Sequence, residues 1–217
     1  MDLSPLKISI KVAVIATVIT FITGMLAAKW VVSLKKGKTL MDGIFSLPLV
    51  LPPTVVGFFL LLLFGNNGLI GKYLKEWNMS VVFTWAGAVI ASAVVSFPMM
   101  YRTARGAFEQ VDKNVLDAAR TLGKTESWIF ARLMIPMSKP GILAGVVLSF
   151  ARALGEFGAT IMLAGNIPGK TQTMSVAVYT AMQSNNRALA YRWTLIIMGI
   201  SFVAMFLMNY FQTKENK

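Results

Sequence analysis

The segment "DAARTLGKTESWIFARLMIP", residues 117–136, is the most informative part of the chain for its fold. It lies in a polar loop, residues 101–139, that carries large apolar residues of a kind that disordered loops lack. Asp112 is a predicted N-cap and Gly123 a predicted helix stop, and a second helix is expected from Thr125 to just before Pro136. Helical spacing supports the first helix at Val111, Val115, Leu116, Ala119 and Leu122.

Two short helices joined at an apolar glycine turn have two common uses. The turn, which is rich in small residues, can dock into another protein. The same helices can instead lie flat on a lipid surface. The residues of the loop alone leave both possibilities open.

The regions around this loop are those of a membrane protein. Of the 217 residues, 56% are hydrophobic and the mean hydropathy is +0.64, which soluble domains of this size rarely reach. A spanning helix needs roughly 20 apolar residues. The sequence therefore predicts an all-α polytopic membrane protein with five transmembrane helices. Their predicted positions are residues 12–28 extended to about 32, 44–64, 81–100, 140–164 and 193–211.

The distribution of positive charge predicts the orientation. The net charge of +12 would suggest nucleic acid in a soluble protein, but in a membrane protein the positive-inside rule explains it first. Seven cations lie on one side of the predicted membrane, and Arg152 lies within the fourth span. Thirteen lie on the other side, which is therefore cytoplasmic, so the N-terminus is outside and the C-terminus inside: Lys29, Lys35, Lys36, Lys38, Arg102, Arg105, Lys113, Arg120, Lys124, Arg132, Lys139, Lys214 and Lys217.

Composition also excludes several kinds of chemistry. The chain contains no cysteine and no histidine, so disulfides, thiol catalysis, Cys/His metal sites and Ser-His-Asp triads are absent. An intramembrane enzyme would have to use Arg152, Glu156 and Asp117. The two carboxylates lie on opposite sides of the predicted membrane plane and are not expected to meet.

The segment "AGNIPGKT", residues 164–171, matches a relaxed nucleotide-binding pattern. A phosphate-binding loop follows a buried strand and opens a helix whose amides hold the phosphate. This segment follows a predicted membrane helix, Pro168 removes one amide, and Lys170 is predicted to be outside. We therefore expect an external turn, and no bound cofactor in this chain.

Two predicted spans contain unusual residues. Pro48, Pro52 and Pro53 fall in the second span, where they predict either a simple kink or a break that lines a pathway. Gly141 and Gly145, in the fourth span, have the spacing that allows close helix packing.

The fourth span also contains a charged pair. Arg152 and Glu156 are four residues apart, which places them on one face of a continuous helix. Charges at membrane depth are costly and tend to mark pathways or partner pairs. The pair either attracts a passing dianion or ties helices together without meeting substrate. Ser149 and Thr160, on the same predicted helix, are weaker candidates for the anion pathway.

The loop segment resembles the EAA motif of ABC importer permeases, which is Glu-Ala-Ala, three residues, Gly, nine residues, Ile, one residue and Leu-Pro. Three positions of the motif carry conservative substitutions: Asp117 replaces Glu, Leu133 replaces Ile and Ile135 replaces Leu. The resemblance implies that the loop is a coupling helix docking into a separate ATP-binding subunit. The residues it assigns to coupling are Asp117, Ala118, Ala119, Gly123 and Pro136.

Further motifs are similar to those of molybdate permease subunits: "LPLVLPPTVVG", "SFPMMYR", "FARALGEFGAT" and "GNIPGKTQT". This resemblance, from about Lys7 to the fifth span, implies one transmembrane domain over residues 1–217 with the type I importer fold. It also implies a homodimer in the cytoplasmic membrane with two ATP-binding subunits, which use the ATP, and one extracytoplasmic molybdate-binding protein. Lipid is expected as a partner and nucleic acid is not. Importers of sulfate, thiosulfate or tungstate are alternatives, and a passive anion channel is an alternative of another class.

Overall fold

The structure, a computed structural model, describes residues 2–215, and for residues 207–215 it describes the backbone alone. It is 79% helical, and residues 2–215 contain no strand, which confirms the all-α prediction. Lys217, counted with the cytoplasmic charges, lies outside the described residues.

The described residues form a series of helices separated by short turns. Three are long: α1 (Ser4–Ser33), α5 (Trp85–Glu109) and α12 (Arg187–Glu215). The helices before the central loop are α2 (Lys38–Val50), α3 (Pro53–Phe64) and α4 (Leu69–Glu76). The helices of the loop are α6 (Lys113–Thr121), α7 (Glu126–Ile129), a π-helical turn (Phe130–Met134) and α8 (Ile135–Met137). The helices after it are α9 (Lys139–Leu154), α10 (Gly158–Leu163) and α11 (Met174–Gln183).

Among the described residues, two helices have the length and hydropathy of membrane spans, or up to four elements do if each of two bent pairs is counted as one span. Helix α1 and residues 187–206 of α12 satisfy both criteria as single helices. Helices α2 and α3 satisfy them as a pair bent by 107°, and Glu126–Met137 and α9 as a pair bent by 75°. The first and last predicted spans therefore correspond to continuous helices, whereas the second is broken.

The break in the second span follows from its prolines. Helix α2 ends at Val50, and Pro52 and Pro53 form the N-cap and first residue of α3. Neither proline can donate a backbone hydrogen bond to a preceding turn, so one helix cannot run through both. Pro48, by contrast, lies within α2. The structure thus shows a break, with a bend of 107°, rather than a simple kink; that the break lines a pathway stays a prediction.

The fourth span differs from the prediction of one helix over residues 140–164. Helix α9 ends at Leu154 and α10 begins at Gly158, so Glu156 lies in a non-helical segment. Gly155 and Gly158, which favour helices poorly, flank this segment. Ser149 and Thr160 are therefore on different helices, contrary to the prediction.

The third span also ends later than predicted. Helix α5 continues past Pro98 to Glu109, so the first residues assigned to the loop extend this helix. Proline is tolerated inside spanning helices where neighbouring helices support the backbone. Pro98 is buried among such neighbours.

The core lies where α1, α5 and α9 pack side by side, with α11 and α12 against their outer ends. Small residues dominate this contact, as expected where helices approach closely in lipid. One cluster joins the five helices: Ala13, Ala16, Ala93, Ala153, Leu154, Met174, Ala177 and Trp193.

Replacing Gly141 with alanine is expected to destabilise the protein. A Cβ there would lie 2.6 Å from the Cβ of Ala107 on α5, which has no flexible side chain to move aside. Overpacking of this kind costs about 1–3 kcal/mol. The check is the thermal midpoint in detergent, with Gly199→Ala as control because the space around Gly199 is open. Equal midpoints for the two variants would contradict the prediction.

The segment at residues 164–173 is a turn between α10 and α11, as predicted. Gly165 and Gly169 have positive φ angles, and the Thr171 hydroxyl accepts a hydrogen bond from the Ile167 amide, 3.0 Å away. Helix α11 then folds back onto the bundle, where the Met174 amide donates to the Ser9 hydroxyl. The amides of Lys170, Thr171 and Gln172 donate to the Ile167 carbonyl at 2.9–3.2 Å, so these amides are not free to hold a phosphate.

Candidate coupling hairpin and charged break

Residues 112–137 fold as a helical hairpin, hereafter called the coupling hairpin after the role that the sequence resemblance implies for it. Asp112 caps α6 by accepting a hydrogen bond from the Asn114 amide at 2.8 Å, and Thr125 caps α7 by accepting from the Trp128 amide at 3.3 Å. Gly123, with φ of +73°, makes the turn between them. These caps and this turn are the ones expected from the sequence.

A small apolar core holds the two limbs of the hairpin together. It consists of Val111, Leu116, Ala119 and Ile129, with Leu133 and Met134 packed against it. Phe108, at the end of α5, contacts Phe130 edge to face at 5.5 Å between ring centroids. The hairpin is therefore anchored to the end of α5 rather than tethered by a flexible linker.

Arg120 adds a charged clamp across the turn. Its guanidinium lies 2.6 Å from Asp117 Oδ1 and 2.7 Å from Glu126 Oε1, so one side chain joins α6 to the start of α7. Hydrogen bonds from Arg120 lower the pKa of Glu126 from its ordinary 4.5. The clamp thus contributes stability above pH 4.5 and loses it as the pH falls through the lower, folded-state pKa. Sequence analysis did not predict that Arg120 forms this clamp. The three-residue spacing of Asp117 and Arg120, which favours an ion pair on a helix, was a signal for it.

The second limb extends further than expected. Instead of ending before Pro136, the helix widens into the π-helical turn and continues through α8 to Met137. Pro136 is the second residue of α8 and has no amide hydrogen to donate to the preceding turn, which is the π-helical one. Wide turns of this kind occur within helices, often at functional sites.

The tip of the hairpin is exposed. Of the residues assigned to coupling, Asp117, Ala118, Gly123 and Pro136 are exposed, while Ala119 is buried in the hairpin core. Beside them, the side chain of Leu122 is 77% exposed, so the tip presents an apolar surface. Docking into a partner protein would bury this surface.

The charged pair lies in the break between α9 and α10. Arg152 Nη1 is 2.7 Å from Glu156 Oε2, and Glu156 Oε1 accepts a hydrogen bond from the Ala159 amide at 2.8 Å. The Glu156 side chain is 1% exposed, whereas that of Arg152 is 27% exposed. Part of the Arg152 side chain is therefore accessible, while that of Glu156 is enclosed.

The other two pathway candidates are buried hydroxyls. Ser149 Oγ and Thr160 Oγ1 have no hydrogen-bond partner among the described residues. The structure therefore brings Arg152 and Glu156 together but does not bond either hydroxyl to them. A buried polar atom without a partner is unusual and costs roughly 1–3 kcal/mol.

The hairpin and the charged break are separate sites. Asp117 is bonded to Arg120 on the hairpin, and Glu156 to Arg152 and Ala159, so the two carboxylates do not form a pair. The described residues also contain no cluster of acidic side chains suited to a metal ion. The geometry offers a docking surface and a charged break rather than a catalytic centre.

Comparison with known proteins identifies the family. Residues 20–217 match the family described as "Binding-protein-dependent transport system inner membrane component". The chain is 40% identical over 221 residues to the molybdenum transport system permease protein ModB of Haemophilus influenzae, covering 100% of this chain and 96% of that protein. It is 46% identical over 171 residues to ModB of Escherichia coli K12, covering 78% and 75%.

A relative with another cargo is less similar. The sulfate transport system permease protein CysT of Escherichia coli K12 is 34% identical over 210 residues, covering 96% of this chain and 76% of that protein.

Solved structures confirm the fold. The MetNI methionine ABC transporter, in inward-facing conformations, superposes with a TM-score of 0.74 at 12% identity, covering 97% of this chain and 94% of that one. A bacterial ABC transporter that imports alginate gives a TM-score of 0.78 at 14% identity, covering 99% and 80%. The chain therefore has the type I ABC importer permease fold. It belongs to the family of inner membrane components of binding-protein-dependent transport systems, whose members are transport permease subunits and not enzymes.

Proposed function

We propose that this chain is the permease subunit of an ATP-driven importer of molybdate. The observation that carries the choice of cargo is the similarity to the molybdenum permeases of Haemophilus influenzae and Escherichia coli K12, at 40% and 46% identity, against 34% for the sulfate permease. The molybdenum permease of Azotobacter vinelandii, at 32%, does not add to this contrast. The exposed tip of the coupling hairpin supports the dependence on ATP, because it offers a docking surface to a separate ATP-binding subunit.

The proposed topology has five spans with the N-terminus outside and the C-terminus inside. The spans are α1, the broken pair α2–α3, α5, the broken pair α9–α10, and α12. The coupling hairpin then faces the cytoplasm, where ATP is available. The excess of lysine and arginine on that side supports this orientation.

The proposed assembly contains two copies of this chain, two ATP-binding subunits and one extracytoplasmic molybdate-binding protein. Five spans are too few to enclose a gated pathway. In addition, none of the residues of α2 is buried within one chain. A second copy would complete the enclosure, and residues 1–217 would act as one transmembrane domain.

The proposed mechanism is alternating access. Binding of ATP closes the two ATP-binding subunits and draws the two coupling hairpins together. The spans rock in response and open the pathway to the outside, where the binding protein releases its anion. Arg152 then attracts the dianion, and Glu156 offsets part of that attraction, so the anion is not trapped.

The test is uptake of radiolabelled molybdate by cells that lack their own molybdate and sulfate importers. The chain is supplied with its ATP-binding and binding-protein partners, and uptake is challenged with excess tungstate or excess sulfate. Inhibition by tungstate but not by sulfate is expected, because tungstate nearly equals molybdate in size and charge.

Other outcomes would change the proposal in defined ways. Uptake of sulfate without molybdate would replace the cargo and keep the importer. Flux that continues without the ATP-binding subunits would indicate a passive anion channel instead. The same cells, supplied with tungstate as the labelled anion, distinguish a tungstate importer from a molybdate importer by the ratio of the two uptake rates.

A further inference from the structure

Helix α2 is held to the rest of the chain at its cytoplasmic end. The ring of Phe45 contacts Trp30, Phe97 and Tyr101 edge to face, at centroid distances of 5.2–6.1 Å. One turn earlier, Asp42 accepts a hydrogen bond from the Tyr101 hydroxyl at 3.2 Å. Since no residue of α2 is buried, these contacts decide how the helix is positioned within the chain.

Arg105 connects α2 to the base of the coupling hairpin. Its Nη1 forms an ion pair with Asp42 Oδ1 on α2, and its Nε lies 3.0 Å from Glu109 Oε1, the last residue of α5. The Arg105 side chain is only 21% exposed, and Asp42, Arg105 and Glu109 line a cavity of about 220 Å³ with Arg102 and Gly106. Shielding from water strengthens such a pair relative to one on an open surface.

The far end of α2 leads to the charged break. After the 107° bend, Pro53 and Thr54 pack directly on Gly158, where an added Cβ would lie 3.0 Å from Pro53 Cβ. Gly158 is two residues from Glu156. A continuous series of contacts therefore runs from the hairpin through α5 and α2 to the segment that holds the charged pair.

We propose that Arg105, through its ion pair with Asp42, is a positioning residue that transmits movement of the coupling hairpin to the broken second span. The inference rests on the proposed importer function. Movement of the end of α5 shifts Arg105, and Arg105 carries α2 with it. The bend at Pro52 then alters the contact of α3 with Gly158.

Three changes in the full complex test this inference: Asp42→Asn, the exchange Asp42→Arg with Arg105→Asp, and Glu109→Gln. Asp42→Asn removes the ion pair between helices and is expected to lower transport about tenfold while ATP hydrolysis continues, in line with typical coupling energies. The exchange is made together with Glu109→Gln, because Arg105→Asp would otherwise face the Glu109 carboxylate one turn away. It restores the pair in reverse and is expected to recover most of the transport. Glu109→Gln is the matched control, because it removes a pair within α5 and should change transport by at most about twofold.

A second readout does not depend on the cargo. The chain has no cysteine, so Val50→Cys, at the exposed end of α2, introduces one thiol for maleimide labelling. We expect its labelling rate to change when ATP is trapped in the complex, and this change to be lost in Asp42→Asn. A different transported anion would leave this result intact, which separates failure of this inference from failure of the cargo assignment.

Two results would overturn the inference. The first is an Asp42→Asn variant that transports like the unmodified protein and in which maleimide labelling of Val50→Cys still responds to ATP. The second is an equal loss in Asp42→Asn, in the exchanged pair and in Glu109→Gln, which would mean that the cluster only supports the fold.

Discussion

Replacing Gly123 with phenylalanine is expected to abolish transport while the protein remains in the membrane at its normal level. Gly123 forms the exposed turn of the coupling hairpin, with no atom near enough to meet an added Cβ. The new Cβ therefore meets nothing within the chain, and we expect the ring to clash with a docked partner. Loss of a central interface contact costs about 2 kcal/mol or more, which corresponds to about a 30-fold loss of affinity.

The measurement combines uptake with co-purification of the ATP-binding subunit. Gly37→Phe is the matched control, because Gly37 has a similar φ of +79° and equally open surroundings. Both substitutions carry the same backbone strain of about 1–2 kcal/mol, so a difference between them reports docking. Normal transport by Gly123→Phe would rule out the coupling role of the hairpin.

Replacing Arg152 with methionine is expected to lower both stability and transport. Glu156 would then keep a buried carboxylate without its cation, and removal of one partner of a buried ion pair costs about 3–5 kcal/mol. Because Arg152 is partly exposed, we expect the loss of unfolding free energy to lie at the lower end of this range. Thermal midpoints in detergent, measured beside uptake, check the two effects separately.

The double variant Arg152→Met with Glu156→Gln separates the two roles of the pair. Glutamine can still accept the hydrogen bond from the Ala159 amide, and no buried charge remains, so the thermal midpoint should recover. Transport should stay low if Arg152 meets the anion. Recovery of transport together with stability would show that the pair only ties the structure together.

Sequence patterns predicted the local structure of the hairpin well. Asp112, Gly123 and Thr125 act through atoms within a few residues of themselves, so caps and turns can be identified from spacing alone. Pro52 and Pro53 also act locally, because a proline blocks the helix in which it lies. A break at this point was therefore one of the two structures that the sequence predicted.

The features that sequence analysis missed either depend on tertiary contacts or arise from residues with more than one local use. The break at Glu156 was taken for a continuous helix because glycines in spans also serve packing, and nothing in the spacing separates the two uses. Asp42 and Arg105 are far apart in the chain, so the sequence around one of them does not predict that it pairs with the other. The third span was expected to end at residue 100, because the support that α5 receives from its neighbours beyond that point is not visible in its own sequence.

The charged break also has a consequence for how the chain is made. Its ion pair and its hydrogen bond all lie between residues 152 and 159, so they need no other span in order to form. An unpaired charge entering the bilayer costs roughly 2.5–3.5 kcal/mol at the stage of insertion. Because arginine and glutamate neutralise each other locally, this segment can pass from the ribosome into lipid as a net-neutral unit before its neighbours assemble around it.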